Sequence, residues 1–419
     1  MKSKEGVRMK YDLIVIGGGF AGVASAISAA KEGMRTLLVE KSNSLGGAAT
    51  NCLVNPFMPN STKIDGKMVD FSLSIFKEIC SRLEKRNAMI YGSHFLEEDL
   101  KLILNDMAQE NGVNLLYHAY LTRVNKEKKR IKSVVVATIE GEKTFEADYF
   151  IDATGDAQLS YLSGCKTLLG RDKDNLCQPM TLCFRVGNVD TEAFYATLPR
   201  LQEKYKESLE GGKLINPREN ILVFSTPIKN VLHFNTTRVI NKNPVLALDK
   251  TEAEIIARKQ VYEVFEFLKA HADGMQDAFI ISTAQEIGVR ESRKIVGEYV
   301  LSEQDCLNLT KFDDGIVACC YDIDIHNPQG TGTSHHYFKD GEYYTIPYRA
   351  LIPRGIDNML ASGRCISSDQ GAQASYRIMP TVCSIGEVAG LAIAQAYKSK
   401  QKPKEIDVKA LQEKIKRAF

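Results

Sequence analysis

Apolar and polar positions change texture along the chain. Short unbroken apolar runs at 13–16 and 36–39 predict parallel strands covered on both faces, and the small residues between them, up to Gly33, fall at helical spacing. Phe71, Ile75, Ile79 and Leu83 form one amphipathic stripe; Leu96, Leu100, Ile103, Leu104 and Met107 form another, which stops at Gly112. Both predict core helices. Residues 113–117 read as a third parallel strand, and 121–124, 133–138 and 144–151 as a β-meander with polar turns. From about Cys177 the runs alternate instead. Residues 180–186, 221–226 and 231–239 look like strands of a half-exposed sheet, separated by polar helices such as 251–272. A strand over 315–325 ending at His326, short β-like runs at 343–349 and 358–362, and a late helix rich in Gly and Ala complete the pattern. The sum is an α/β chain: a parallel sheet plus meander over 9–175 and 340–419, with an α+β cap domain inserted at 176–339.

The first run leads directly into Gly17-x-Gly19-x-x-Gly22, and the second ends on Glu40, twenty-three residues after Gly17. A strand, a tight turn, a helix and a parallel strand ending in an acid make a dinucleotide-binding unit. Gly17 allows the turn, Gly19 admits a pyrophosphate to the backbone, and Gly22 lets the helix pack closely on the strand. A carboxylate at Glu40 accepts hydrogen bonds from ribose hydroxyls and repels a 2′-phosphate, so the ligand is FAD or NAD rather than NADP. Two further glycine-containing segments, LGGAAT at 45–50 and ATGD at 153–156, bring backbone to the ligand again.

Composition narrows the class. The chain has 419 residues, 44% of them apolar, enough for two or three domains with a sizeable core. Its 54 basic and 52 acidic residues leave a net charge of +2, so no global field points to nucleic acid or an anionic membrane. Ten cysteines without a CxxC pair argue against zinc, iron–sulfur and dithiol centres and suit a reducing cytoplasm. The leader 1–10 is charged and lacks the apolar stretch of a signal peptide, and no apolar run reaches the length of a membrane span.

GGGFAG with Glu40, LGGAAT, ATGD after a meander, and LASGR followed by a Met-Pro-Thr helix together resemble FAD-dependent oxidoreductases of the glutathione-reductase-like superfamily, in the branch with fumarate reductase and p-hydroxybenzoate hydroxylase relatives. RESRKIVGEYVL, YYTIPYRALIP and RIMPTVCSIGEVAG look like the bacterial family named simply FAD-dependent oxidoreductase, over most of the chain. The resemblance implies that Gly17, Gly19, Phe20, Ala21 and Gly22 hold the FAD pyrophosphate and Glu40 the adenosine ribose, with Lys41 on the rim. Gly47, Ala48 and Thr50 would run along the ribityl and isoalloxazine side. The backbone of Leu121 would read the adenine edge, and Ala153 and Gly155 would pack on the adenosine half. Gly363 and Arg364 would approach the ribityl phosphates, and the amides after Pro380, on Thr381 and Val382, would face the flavin pyrimidine carbonyl. Arg364 departs from the pattern, since relatives often carry Asp there. No second GxGxxG lies in a strand–helix frame, so reduction is expected from the substrate or a separate partner.

The leading expectation is hydride transfer between a small organic substrate and FAD N5, with Arg290, Arg377, His326 and Tyr344 as candidate catalytic residues. Met379, held extended by Pro380, should let Arg377 project beside the late helix; a salt bridge from Arg377 to an acid such as Glu291 is the alternative. Arg290, Glu291 and Arg293 face the flavin or form an ion-pair network among themselves. His233 and Asn235 share one face of a strand, lining a cavity or meeting solvent. His335 and His336 sit in a polar loop and lack a third ligand, so no metal is expected. Rival readings are a flavin-free NAD dehydrogenase and a flavin-containing RNA-modifying or scaffold protein. The expected partners are a small-molecule substrate and either a second copy of the chain or a separate electron acceptor.

Overall fold

The computed structural model describes residues 10–416, so all but the last residue of the charged leader lies outside the described residues. Five parallel strands form the central sheet, in the order Asn114–Leu116, Thr36–Val39, Lys10–Ile16, the second half of Gly141–Asp152, and Met359–Ala361. The strand Gly141–Asp152 serves two arrangements. Its first half pairs antiparallel with Arg130–Thr138, which pairs with Tyr120–Glu127 to complete the meander, and its second half joins the parallel sheet.

Register decides where the site lies. Ile16 pairs with Val39 and with Asp152, Val39 pairs with Leu116, and Asp152 pairs with Ala361. The strands therefore end in one row, and the segments that follow, at Gly17, Glu40, Ala153 and Ser362, emerge together at the carboxyl edge of the sheet, where open α/β sheets bind ligands. Leu13, Ile14, Val15, Phe150, Ile151 and Leu360 are fully buried, which explains the unbroken apolar runs.

The helix Phe20–Lys31 packs against the late helix Met379–Ser399, which reaches it from the other end of the sequence. Small residues make the approach possible: a Cβ on Gly386 would sit 2.2 Å from Ala21 O, and one on Gly390 2.3 Å from Ser25 O. Ser25 Oγ donates to Gly386 O at 3.0 Å and Ser28 Oγ to Glu387 O at 2.9 Å, locking the pair. This late helix is long and apolar enough to cross a membrane, but 83% of its apolar window is buried inside the fold, as in a core helix.

The inserted unit has an antiparallel sheet in the order Val223–Ser225, Leu232–Phe234, Phe184–Gly187, Phe279–Thr283, and two long helices, Thr191–Glu210 and Ala247–His271. Its apolar cluster runs from Met180 to Ile287, with Leu53 added from the cofactor half. Leu301, Cys306, Ile316, Cys319 and Ile323 belong to the main core instead, so the chain returns to that core before the expected boundary at 339. The run 315–325 is also two strands, not one. Gly315–Cys319 pairs with Tyr344–Pro347 and Ile323–His326 with Thr333–His336. Asn60 makes the break: its side chain donates to Ala318 O at 3.1 Å and accepts from Cys320 N at 3.2 Å, ending the first strand from a distant loop.

Candidate functional site

The glycine segment forms a cradle. Gly17 has φ +101°, and a Cβ there would sit 2.4 Å from Ala153 O; a Cβ on Gly22 would sit 1.8 Å from Gly17 O. Gly46 N donates to Gly18 O at 2.8 Å, and a Cβ on Gly47 would lie 3.0 Å from Gly19 Cα, so the two glycine segments approach backbone to backbone. Thr50 stitches the second segment by donating to Leu45 O at 2.7 Å. The N-cap Gly19 offers no side-chain cap and the first turn has no acid, which leaves the helix-terminal amides available to an anion. Phe20 is buried edge-on against Phe57, so its contribution to a ligand is its backbone.

Glu40 is buried and accepts from Gly18 N at 2.5 Å and Ser42 N at 2.8 Å. A carboxylate has about four acceptor positions, which leaves room for ribose hydroxyls. Ala119 N donates to Glu40 O at 3.1 Å, bringing Leu121 to the same edge. Lys41 is engaged across the seam with Glu286 at 2.8 Å.

Arg364 lies across Gly155: a Cβ on that glycine would meet its Nη1 at 2.3 Å. The guanidinium pairs with Asp156 at 2.8 Å, while its buried Nε has no acceptor. Gly363 follows Ser362, whose N–H donates to Asp152 O at 2.8 Å and whose buried Oγ is also unpartnered. Unpartnered donors beside a glycine-walled cradle fit a diphosphate and its sugars.

At the late helix the expectation needs three corrections. Met379 is the first helical residue and Ile378 the extended one, because the amide that Pro380 lacks belongs to the first turn, where it has no intrahelical acceptor. Arg377 accordingly caps the preceding helix Gln370–Tyr376 in helical geometry. Val382 N donates to Ile378 O at 3.0 Å, so of the two residues after Pro380 only Thr381 keeps its amide for a ligand.

Tyr344 is fully buried and donates to Ser375 Oγ at 2.9 Å. Burial pushes its phenol well above its ordinary pKa, and the residue is part of the core rather than a cavity wall. Arg290, His326 and Arg377 do come together, around Asp324. Arg377 Nη2 is 3.5 Å from Asp324 Oδ2 and His326 Nε2 is 3.3 Å from the same oxygen; Glu291 pairs with Lys294 instead, at 2.7 Å. Burial opposes charge on Asp324, yet the His326 hydrogen bond and the Arg377 and Arg290 guanidiniums hold its carboxyl well below the ordinary range.

The chemistry of His326 follows from its partners. Arg238 Nη2, a donor only, is 3.1 Å from His326 Nδ1, so Nδ1 accepts and Nε2 carries the proton toward Asp324. Burial, then the charge of Arg290, keeps the imidazole neutral to well below pH 6.5 despite Asp324. With both nitrogens engaged, His326 is a positioning residue.

Arg290, Glu291 and Arg293 make no network of their own. Arg290 donates to Pro179 O at 2.9 Å and Thr181 Oγ1 at 2.5 Å, and Arg293 to Asp156 O at 3.0 Å and Gln158 Oε1 at 2.6 Å. His233 is buried rather than facing solvent, with neither ring nitrogen bonded, while Asn235 reaches toward Arg290 at 3.5 Å. His335 joins the hairpin Ile323–His326/Thr333–His336, 3.6 Å from Asp324; no cluster of three metal-ligating side chains occurs among the described residues.

Sequence reading missed Asp324, Arg218, Arg238, Gln178 and Tyr321. Asp324 and His326 stand two apart on one strand face, a signal that was present. The two arginines come from loop positions of the cap and carry no motif.

A parallel sheet with a glycine cradle at its carboxyl edge, an acid at the second strand end and a capping unit over the seam defines a dinucleotide-dependent flavoprotein. The chain belongs to the FAD dependent oxidoreductase family, whose model matches residues 12–415. It is an FAD-dependent enzyme, which sets aside the flavin-free NAD reading. The fold is similar to a geranylgeranyl bacteriochlorophyll reductase-like protein from Thermoplasma acidophilum (14% identity, TM-score 0.48, 98% of this chain and 84% of that one). It is also similar to p-nitrophenol 4-monooxygenase from Pseudomonas putida (10%, 0.47, 97% and 84%) and to the myxobacterial chondrochloren halogenase (16%, 0.43, 97% and 78%).

Proposed function

We propose that this enzyme moves a hydride between a small organic substrate and N5 of FAD. When bound, FAD supplies the two-electron chemistry, and the chain supplies position, charge and a proton. The observation that carries the reading is the convergence of Arg290, Arg377 and the Asp324–His326 pair, with Arg377 standing two residues before the late helix, whose N-terminus has no side-chain cap. Arg377 and Arg290 orient the substrate, and Asp324 and His326 fix the guanidiniums.

The proton falls to Tyr321. Its hydroxyl makes no hydrogen bond among the described residues, and it feels the charges of Asp324, Arg377 and Arg290. Burial, then Asp324, pushes its phenol up to about 12, so it is protonated at neutral pH and available as a donor. A substrate, or a separate partner, closes the redox cycle.

The test is anaerobic titration of the FAD-loaded protein with carboxylic acids, amines, alcohols and sugars, together with reoxidation of the dithionite-reduced protein by the corresponding oxidised compounds. Bleaching or recovery of the flavin absorbance is expected with one class, slowed on the order of a hundredfold in Tyr321→Phe. A fully loaded protein that responds to none of them in either direction excludes the reading.

A further inference from the structure

We propose that Arg290 and Gln178 form a carboxylate-binding site at the seam between the cap and the cofactor half, so that the substrate is an organic acid; this names the substrate class of the hydride-transfer reading and rests on it. Arg290 feels the charges of three other guanidiniums here, those of Arg377, Arg218 and Arg238. Among the described residues, two carboxylates pair with them. Glu219 lies 3.1 Å from Arg238 and 3.9 Å from Arg218, and Asp324 lies 3.5 Å from Arg377. Four positive charges against two negative ones leave two uncompensated, and His326 is neutral.

Among the described residues Arg290 has no carboxylate within salt-bridge reach, and Asp324, already paired with Arg377, acts on it only through space. The acceptors of Arg290 are Pro179 O, Thr181 Oγ1 and, at 3.5 Å, Asn235 Oδ1, all of them neutral. Burial, followed by the charges of Arg377 and Arg218, brings its pKa down to about 9. Guanidiniums stay protonated in proteins, so that shift expresses an unmet charge rather than a neutral arginine.

Gln178 supplies the second, independent observation. It is 1% exposed, and its Oε1 accepts from His326 N at 3.2 Å, which fixes which end of the amide is which. Its Nε2 is then a buried donor with no acceptor. An unpaired buried N–H is costly, and native structures hold few of them without a reason. Gln178 directly precedes Pro179, whose carbonyl holds Arg290, so the empty donor and the uncompensated fork come from one stretch of chain. A planar carboxylate accepts from a guanidinium and an amide together and cancels one of the two surplus charges.

The position suits a substrate. A Cβ on Gly288, two residues before Arg290, would sit 3.6 Å from Cys52 Cβ and 3.8 Å from Val54 Cγ2, on the loop that follows the second glycine segment. A purely structural role for Arg290, tying 179–181 to Asn235, leaves both the Gln178 donor and the surplus charge unexplained.

The experiment is calorimetric titration of the FAD-loaded protein with acetate, lactate and succinate, with their neutral amides, and with inorganic phosphate, alongside the flavin difference spectrum. At least one acid is expected to bind and perturb the flavin, with its amide at least about tenfold weaker. Gln178→Leu should weaken the acid about fivefold, Arg290→Lys about tenfold and Arg290→Met on the order of a hundredfold, with FAD content close to wild type. If Arg290→Met does not fold, the Lys and Leu variants decide. Amides that bind as well as acids, phosphate that binds more tightly than every acid, or variants that bind acid like wild type overturn the proposal. The two readings fail separately. Acids that bind without ever reducing the flavin sink hydride transfer and leave the acid site, whereas a neutral metabolite that reduces the flavin while acids neither bind nor compete sinks the acid site alone.

Discussion

Glu40 holds two backbone amides, of Gly18 and Ser42, so the residue organises the cradle itself, besides the ribose role proposed for it. Glu40→Ala should therefore lower FAD affinity at least about tenfold and cost the protein roughly 1–3 kcal/mol, since two buried donors lose their acceptor. Flavin released per protomer and a urea melt check both effects. His233 tests a different balance. Burial first, then the charges of Arg185 and His94, brings its pKa down to about 3. The unfolded chain takes up this proton near pH 6.5 and the folded chain only near 3, so stability falls as pH drops through that window. The loss is at most about 3 kcal/mol by pH 4. His233→Phe, beside Phe224 whose ring stacks on it at 6.2 Å, should flatten the fall in Tm between pH 7 and pH 4. A variant that melts with the same pH slope as wild type removes His233 as the cause.

Between elements, the contact of greatest consequence is that of Phe20–Lys31 with Met379–Ser399. A methyl at Gly386 would meet Ala21 O at 2.2 Å, Ala21 Cα at 2.7 Å and Ala21 C at 2.8 Å, all backbone atoms that no rotamer change can move. Gly386→Ala is expected to force the helices apart, costing about 1–3 kcal/mol, and to tilt the helix whose first turn is proposed to meet the pyrophosphate. Tm and flavin content should fall together; a variant that loses neither overturns this account. The small residues of both helices and the buried parallel strands were legible, because close packing and double burial each leave a local mark on sequence. The break at Cys320 was not, because Asn60 imposes it from across the fold. The hairpin Ser61–Ile64/Lys67–Asp70 carried a readable signal, Asp65-Gly66 between alternating residues, which the reading passed over. In the site, the glycines and Glu40 were legible because backbone geometry restricts residue type. Arg218, Arg238 and Gln178 were not, since each gains meaning only from neighbours far along the chain.

Across the molecule, the cap is tied down by buried charge. Arg185 on the cap strand Phe184–Gly187 and Glu97 at the start of the helix Glu97–Glu110 form a two-pronged pair, with Nη1 to Oε1 at 2.6 Å and both residues buried. Arg185→Met strands the Glu97 carboxylate and should destabilise by about 3–5 kcal/mol, while Arg185→Met with Glu97→Leu should recover most of that loss. Hydrogen exchange over 180–287 and a urea melt distinguish the two; equal losses in the single and double variants refute the account. The late helix also has a meaning in time. The strand Lys10–Ile16 leaves the ribosome long before residue 399 is made, roughly 20–80 s earlier at ordinary rates of synthesis. Throughout that interval the apolar face of the first helix is bare, and from the synthesis of Gly141–Asp152 until that of Met359–Ala361 the sheet edge is unpaired. The cofactor half is thus closed only after the whole cap has been made, and the nascent chain must be shielded from aggregation until the helix Met379–Ser399 arrives.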